Sequence, residues 1–163
     1  MDGKRRLLGN LPYRIFFAFL FIAATTGPSA LAQYGGGSGT AGDPYQITEP
    51  NDLMVLSQTS TDWDKHFKLI ADIDLQGFTY TTALIAPDTN SATPGYEGTA
   101  FTGSFDGSGY RILNLTVDTL SDADPANDDN FYLGLIGQIG STGQANNVVL
   151  ENIVITSTLS HLN

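Results

Sequence analysis

Oxygen-bearing side chains are densest at Asp122, Asp124, Asn127, Asp128, Asp129 and Asn130. Calcium takes roughly 6–8 oxygen ligands on a flexible loop, which makes Asp122, Asp124, Asn127, Asp128 and Asp129 the candidate metal ligands. The loop lacks the glycine and the distal glutamate of an EF-hand, and the plainer reading is a solvated acidic loop. Asp72, Asp74 and Asp106 form a second candidate, an acidic cleft of the kind that cuts or eliminates acidic polysaccharide, sometimes through calcium. Backbone chemistry offers a simpler account, because Asp72 suits a turn and Asp106-Gly107 is a tight-turn pair. No basic residue nearby marks a substrate carboxylate or a lyase base.

The remaining reactive side chains match no catalytic motif. His66 and His161 are far apart and neither has HExxH-like spacing. Ser57, Ser104 and Ser108 lack a nucleophile elbow, since Gly103-Ser104-Phe105-Asp106-Gly107 departs from G-x-S-x-G. Gly103 to Gly109 has neither the lysine nor the following helix of a phosphate loop. No catalytic residue is assigned. Among the aromatics Tyr80, Tyr96, Phe101, Tyr110, Phe131 and Tyr132, exposed tyrosines in a row would stack on sugar rings, while Phe101, Phe105 and Phe131 suit a core. Carbohydrate is thus one candidate partner.

The chain ends and composition narrow the class. Lys4, Arg5, Arg6 and Arg14, the apolar run Ile15 to Ala24, and Ala30-Leu31-Ala32 before Gln33 have the order of an export signal over residues 1–32. The run is far shorter than the roughly 20 residues that a spanning helix needs, and no later stretch suits a membrane span. Loss of the signal would turn 7 basic and 17 acidic side chains into 3 and 16, a net charge of −13 on the mature chain. Such a surface repels nucleic acid and anionic lipid, and it fits a secreted or cell-surface protein. Cysteine is absent, so packing and backbone hydrogen bonds must hold the single domain together.

The elements that would position these residues are mostly short strands. Residues 33–42, glycine-rich, read as a flexible linker. Asp43 to Thr48 suggests a strand, followed by a short helix with Thr48 as N-cap and Pro50 in its first turn. Leu69-Ile70-Ala71-Asp72-Ile73-Asp74-Leu75 alternates like a strand, and residues 76–100 read as a long polar connection. A pattern of apolar residue, any residue, Asn or Asp, then apolar-x-apolar recurs around Asp72, Asn114 and Asn152, at nearly even spacing. A weaker copy spans Ala145 to Leu150.

Asn and Asp tolerate the left-handed backbone of sharp corners, and stacked coils would align them in a ladder over an aliphatic core. This predicts an all-β fold, a right-handed parallel β-helix with a short N-terminal capping helix, over residues 43–163. The alternative is an antiparallel sandwich with irregular loops. Asn114-Leu115-Thr116 is formally a glycosylation acceptor, but the ladder explains Asn114 better. Inward positions are expected at Leu69, Ile73, Leu75, Phe105, Ile112, Leu115, Val117, Leu135, Ile139, Val148, Leu150, Ile153 and Ile155, with Leu53 and Leu56 covering the first coil.

Gly134-Leu135-Ile136-Gly137, preceded by Phe131-Tyr132-Leu133, resembles the core of the GLUG motif of bacterial secreted and surface proteins. Gly39-Thr40 with Asp43 to Ile47, Phe67 to Leu75, and Phe101-x-Gly-x-Phe105-Asp106-Gly107 with Ile112 and Asn114-Leu115 are similar to the segments that open such regions. The resemblance covers roughly residues 39–156. It implies a right-handed β-helix in an exported, often cell-surface, protein, with no catalytic site in the motif itself. The motif is found once where such proteins repeat it, and the chain stops just after a strand, so the reading is of a C-terminally truncated fragment. The expected function is a non-enzymatic extracellular or cell-surface module for adhesion or for presenting a ligand, carbohydrate or protein. The alternatives are the N-terminal part of a polysaccharide-degrading β-helix enzyme and a calcium-stabilised extracellular scaffold.

Overall fold

The computed structural model describes residues 33–90, 95–119 and 132–156. Strand β1 (Tyr45–Ile47) and helix α1 (Pro50–Gln58) come first. Three strand triplets follow: β2 (His66–Leu69), β3 (Ile73–Asp74) and β4 (Thr79–Tyr80); β5 (Ser104–Asp106), β6 (Arg111–Leu113) and β7 (Thr116–Asp118); β8 (Gln144–Asn146), β9 (Val149–Glu151) and β10 (Val154–Thr156).

Consecutive strands of a triplet go to three different sheets, ordered β1-β2-β5-β8, β3-β6-β9 and β4-β7-β10. Every strand pairing in them is parallel. Register partners such as Phe67–Phe105, Ile112–Leu150 and Thr116–Val154 come from successive triplets, each separated by a full repeat of the chain. Parallel neighbours so far apart in sequence need a crossover between them, which an antiparallel hairpin sandwich does not supply.

Local chemistry explains the short strands. Asn114, Asn147 and Asn152 have φ of 59°, 53° and 55°, so each turns the chain in the left-handed region where asparagine is among the best tolerated residues. Between these corners the alternate residues face one apolar interior. Phe67, Phe105, Ile73, Ile112, Leu115 and Val117 are fully or almost fully buried there. Helix α1 contributes Leu53 and Leu56, both fully buried in the same cluster as Ile47, Phe67 and Leu69, and Trp63 Nε1 donates to Leu56 O at 2.8 Å.

Several expectations are corrected. Residues 33–42 are packed rather than a free linker: Tyr34 is buried against Tyr45 and Phe67, Gly35 N donates to Gln46 O, and Gln46 N donates to Gly36 O. The N-cap of α1 is Glu49, not Thr48. Asp52 in the first turn instead accepts from both Thr48 N and Thr48 Oγ1 at 2.7 Å. Leu69 to Leu75 is not one strand, because the chain bends between β2 and β3. Asp72 does not stack with Asn114 and Asn152. The Ile73–Ile112 and Leu113–Glu151 registers align Asn114 with Asn152 but set Asp72 beside Arg111, since the first triplet's corners differ in length from those above.

The connection 76–100 is also more than polar loop. It carries β4 and the buried run Ala83-Leu84-Ile85-Ala86. That run lies against Gly134-Leu135-Ile136-Gly137 in parallel: Leu84 N donates to Gly134 O (3.1 Å), Ile85 N to Leu135 O (2.9 Å), and Gly137 N to Ile85 O (2.9 Å). The Gly-Leu-Ile-Gly segment therefore has a stacked counterpart in the preceding repeat, with alanines in place of its glycines. A Cβ on Gly137 would overlap the Ala86 carbonyl oxygen, which explains glycine at that position.

Candidate functional site

The strand registers assemble the polar candidates into columns on the outside of the sheets. Arg111 at the start of β6 sits between carboxylates of the repeats on either side. Its backbone N and Nη2 donate to Asp72 Oδ1 and Oδ2 at 2.9 and 2.8 Å, and its Nη1 donates to Glu151 Oε2 at 2.9 Å. Asn114 Nδ2 donates to Asp74 Oδ1 at 2.7 Å, and Gln76 N donates to the same oxygen at 2.9 Å. Asp106 Oδ1 accepts from Ser108 N at 2.9 Å and from Asn147 Nδ2 at 3.1 Å.

These bonds all favour the ionised acids. The Arg111 side chain, then its backbone N–H, holds the Asp72 carboxyl below the usual aspartate range. Asn114 does the same for Asp74, and the Ser108 N–H for Asp106. Lowered carboxyl pKa is the opposite of what a general acid requires. The three aspartates occupy separate corner networks rather than one cleft. Each bridges its own repeat to the next, and that is their function in the fold.

The nearest approach to a nucleophile–base pair is His66 Nδ1 to Ser104 Oγ, 2.6 Å apart, across the register of β2 and β5. Among the described residues no carboxylate hydrogen-bonds His66 to orient it, so the third member of a triad is missing. Ser57 Oγ donates to Met54 O within α1, and Ser108 occupies a left-handed turn position. His161, Phe131 and the proposed calcium ligands Asp122, Asp124, Asn127, Asp128 and Asp129 lie outside the described residues. Among the described residues no group of three or more His, Cys, Asp or Glu could hold a metal ion.

The tyrosines do not form one exposed row. Tyr96 and Tyr132 meet edge to face with centroids 5.1 Å apart, and Tyr96 Oη donates to Ala86 O at 3.1 Å. Tyr110 is exposed at another corner, Tyr80 is half-buried against the core, and Phe101 is fully buried.

The third triplet departs from expectation most. Leu150, Ile155 and Ile139 occupy core-phase positions in the strand register yet are 39%, 49% and 41% exposed, while Val148 and Ile153 are half-buried. The pattern of β9 and β10 announces an interior, but among the described residues no further strand lies beyond them. Sequence reasoning missed two features, the Asp72–Arg111–Glu151 column and the exposure of Leu150, Ile155 and Ile139, which were expected to point inward. Both follow from the triplet repeat once strands are aligned by register instead of by Asn and Asp.

No helix among the described residues is long and apolar enough to cross a membrane. No family model and no solved structure matches the chain. Two curated proteins are similar to it. Over 118 residues it is 36% identical to halomucin of Haloquadratum walsbyi, an alignment that covers 71% of this chain and 1% of that protein. Over 143 residues it is 30% identical to a protein of Evansella cellulosilytica described as a Gly-rich membrane protein, covering 87% of this chain and 15% of the relative. The chain thus spans a small part of the length of either relative.

Proposed function

We propose that the chain is a non-enzymatic extracellular or cell-surface module, a right-handed parallel β-helix that spaces and presents a binding face for carbohydrate or protein. The observation that carries this reading is the use made of the polar side chains. Asp72, Asp74, Asp106, Arg111, Asn114 and Asn147 are all engaged in bonds between successive repeats. A scaffold needs such side chains for its corners, whereas an active site needs some of them free and converging. The right hand follows from the near-universal handedness of parallel crossovers. Export is supported by the charge, apolar run and cleavage pattern of residues 1–32, and a surface setting by the names of the two relatives, one a halomucin and one a membrane protein.

Incubation of the purified chain with a panel of acidic and neutral polysaccharides and with cell-surface protein tests the reading. Retention on one of these ligands, with polymer length and reducing ends unchanged, is the expected result. Shortened polymer or new unsaturated ends would contradict it in favour of a polysaccharide-degrading enzyme.

A further inference from the structure

The expected export cut follows Ala32, and the described residues begin directly beyond it, at Gln33. Gln33 Nε2 donates to Thr59 Oγ1 at 3.3 Å and to Asp62 Oδ2 at 3.2 Å. Tyr34, the second residue past the cut, is only 3% exposed. Its ring packs against Tyr45 and Phe67, with centroids 4.6 and 5.4 Å away, and its Oη donates to Asp62 Oδ2 at 2.9 Å. Gly35 N donates to Gln46 O, Gln46 N to Gly36 O, and Ser38 N to Asp43 O. Glycine permits this approach: a Cβ on Gly35 would overlap the Thr48 side chain, and one on Gly37 would overlap Pro44 O. Residues 33–38 thus form a strap along β1, anchored by Tyr34. Two residues span at most about 7 Å, so no slack separates that anchor from the cut.

A peptidase takes the chain extended into its own cleft, including residues just past the cut. Backbone and side chains already engaged in a fold are cut only while they stand open, at a rate set by the open fraction. Opening this strap exposes the Tyr34 ring and breaks its bond to Asp62. An exported chain meets the peptidase either before or after folding. The pair Arg5-Arg6 fits a twin-arginine signal, a route for folded cargo, whereas the apolar run and the cleavage pattern fit either route. The docked strap separates the two, because folded cargo would present its cut site already held.

We propose that the chain is exported unfolded and loses residues 1–32 before the strap docks, so that cutting precedes closure of the first coil. This rests on the reading of residues 1–32 as an export signal. The test presents the full chain in detergent micelles to purified signal peptidase and follows the loss of residues 1–32 by mass. One sample is folded. The other is kept unfolded by Leu69→Asp with Ile112→Asp, two unpaired charges at fully buried positions. The folded chain should be cut roughly ten- to a hundredfold more slowly, as burial of one aromatic side chain leaves the strap seldom open. Tyr34→Ala should recover most of the lost rate. A spacer of about eight glycine and serine residues between Ala32 and Gln33 keeps every docked contact, and should make the folded chain as easily cut as the unfolded one.

Equal cutting of the folded and unfolded chains without the spacer overturns the proposal, as does protection that survives the spacer. No cutting after Ala32 in any sample, the unfolded one included, removes the export reading itself and the proposal with it.

Discussion

Asn114 shows how much a single corner residue carries. Its φ of 59° lies in the left-handed region, and its Nδ2 ties Asp74 of the preceding repeat to its own. Asn114→Ala loses the bond and asparagine's tolerance of that backbone, and should destabilise the fold by about 1–2 kcal/mol, the usual cost of left-handed backbone in an ordinary L-residue without a polar side chain to offset it. Asn114→Gly, which removes the strain but not the lost bond, should recover most of that in a urea titration. The acids these corners hold give a pH signature. Asp72, Asp74 and Asp106 all have lowered pKa in the folded chain. Their contribution is therefore fully present above the unfolded aspartate value of about 3.9 and is lost as pH falls through the lower folded values. The melting temperature should be flat on this account from neutral pH down to about 5 and should drop below about 4. A drop centred well above pH 4 would contradict this assignment to the aspartates.

At the scale of elements, the sequence is most legible where one side-chain type serves one purpose. Asn114 and Asn152 announce their corners, Leu53 and Leu56 announce a covering helix, and Ile112, Leu115 and Val117 announce an inward face; each is found in that place. Legibility fails where backbone hydrogen bonding takes over from side chains. Residues 33–42 have few side chains to pack, yet their peptide groups pair with Gln46, Asp43 and His66, so glycine there marks close approach rather than freedom. Ala83 to Ala86 is hidden because alanine replaces the glycines that flag the later copy. The column through Arg111 is invisible because corner lengths differ between repeats, and a fixed spacing from Asp72 misses it. Stacking of the two Leu-Ile segments makes a direct prediction. Gly137→Ala pushes a Cβ into the Ala86 carbonyl and should cost about 1–3 kcal/mol by denaturant unfolding, as overpacking does. Ala86→Gly, on the other side of the contact, should not rescue it, since the clash is with backbone.

For the whole molecule, acidity and architecture pull against each other. The full sequence has a net charge of −10, and its few cations are spent locally, as Arg111 is on Asp72 and Glu151. Self-repulsion should therefore outweigh the one screened column, and added sodium chloride up to about 1 M should raise the melting temperature rather than lower it. Strands of successive triplets lie side by side and parallel, layer upon layer. Because the chain has no cysteine, engineered pairs report on this without interference. Thr116 and Val154 are register partners on the outer side of β7 and β10, whereas Thr79 and Val154 are separated by the intervening strand β7. Neighbouring parallel strands lie about 4.8 Å apart, within disulfide reach, and strands two layers apart are beyond it. The most direct measurement is the oxidation of these two double-cysteine variants under mild conditions. Parallel stacking in this register gives a quantitative disulfide for Thr116→Cys with Val154→Cys and none for Thr79→Cys with Val154→Cys; equal closure of both, or closure of the second alone, is incompatible with it.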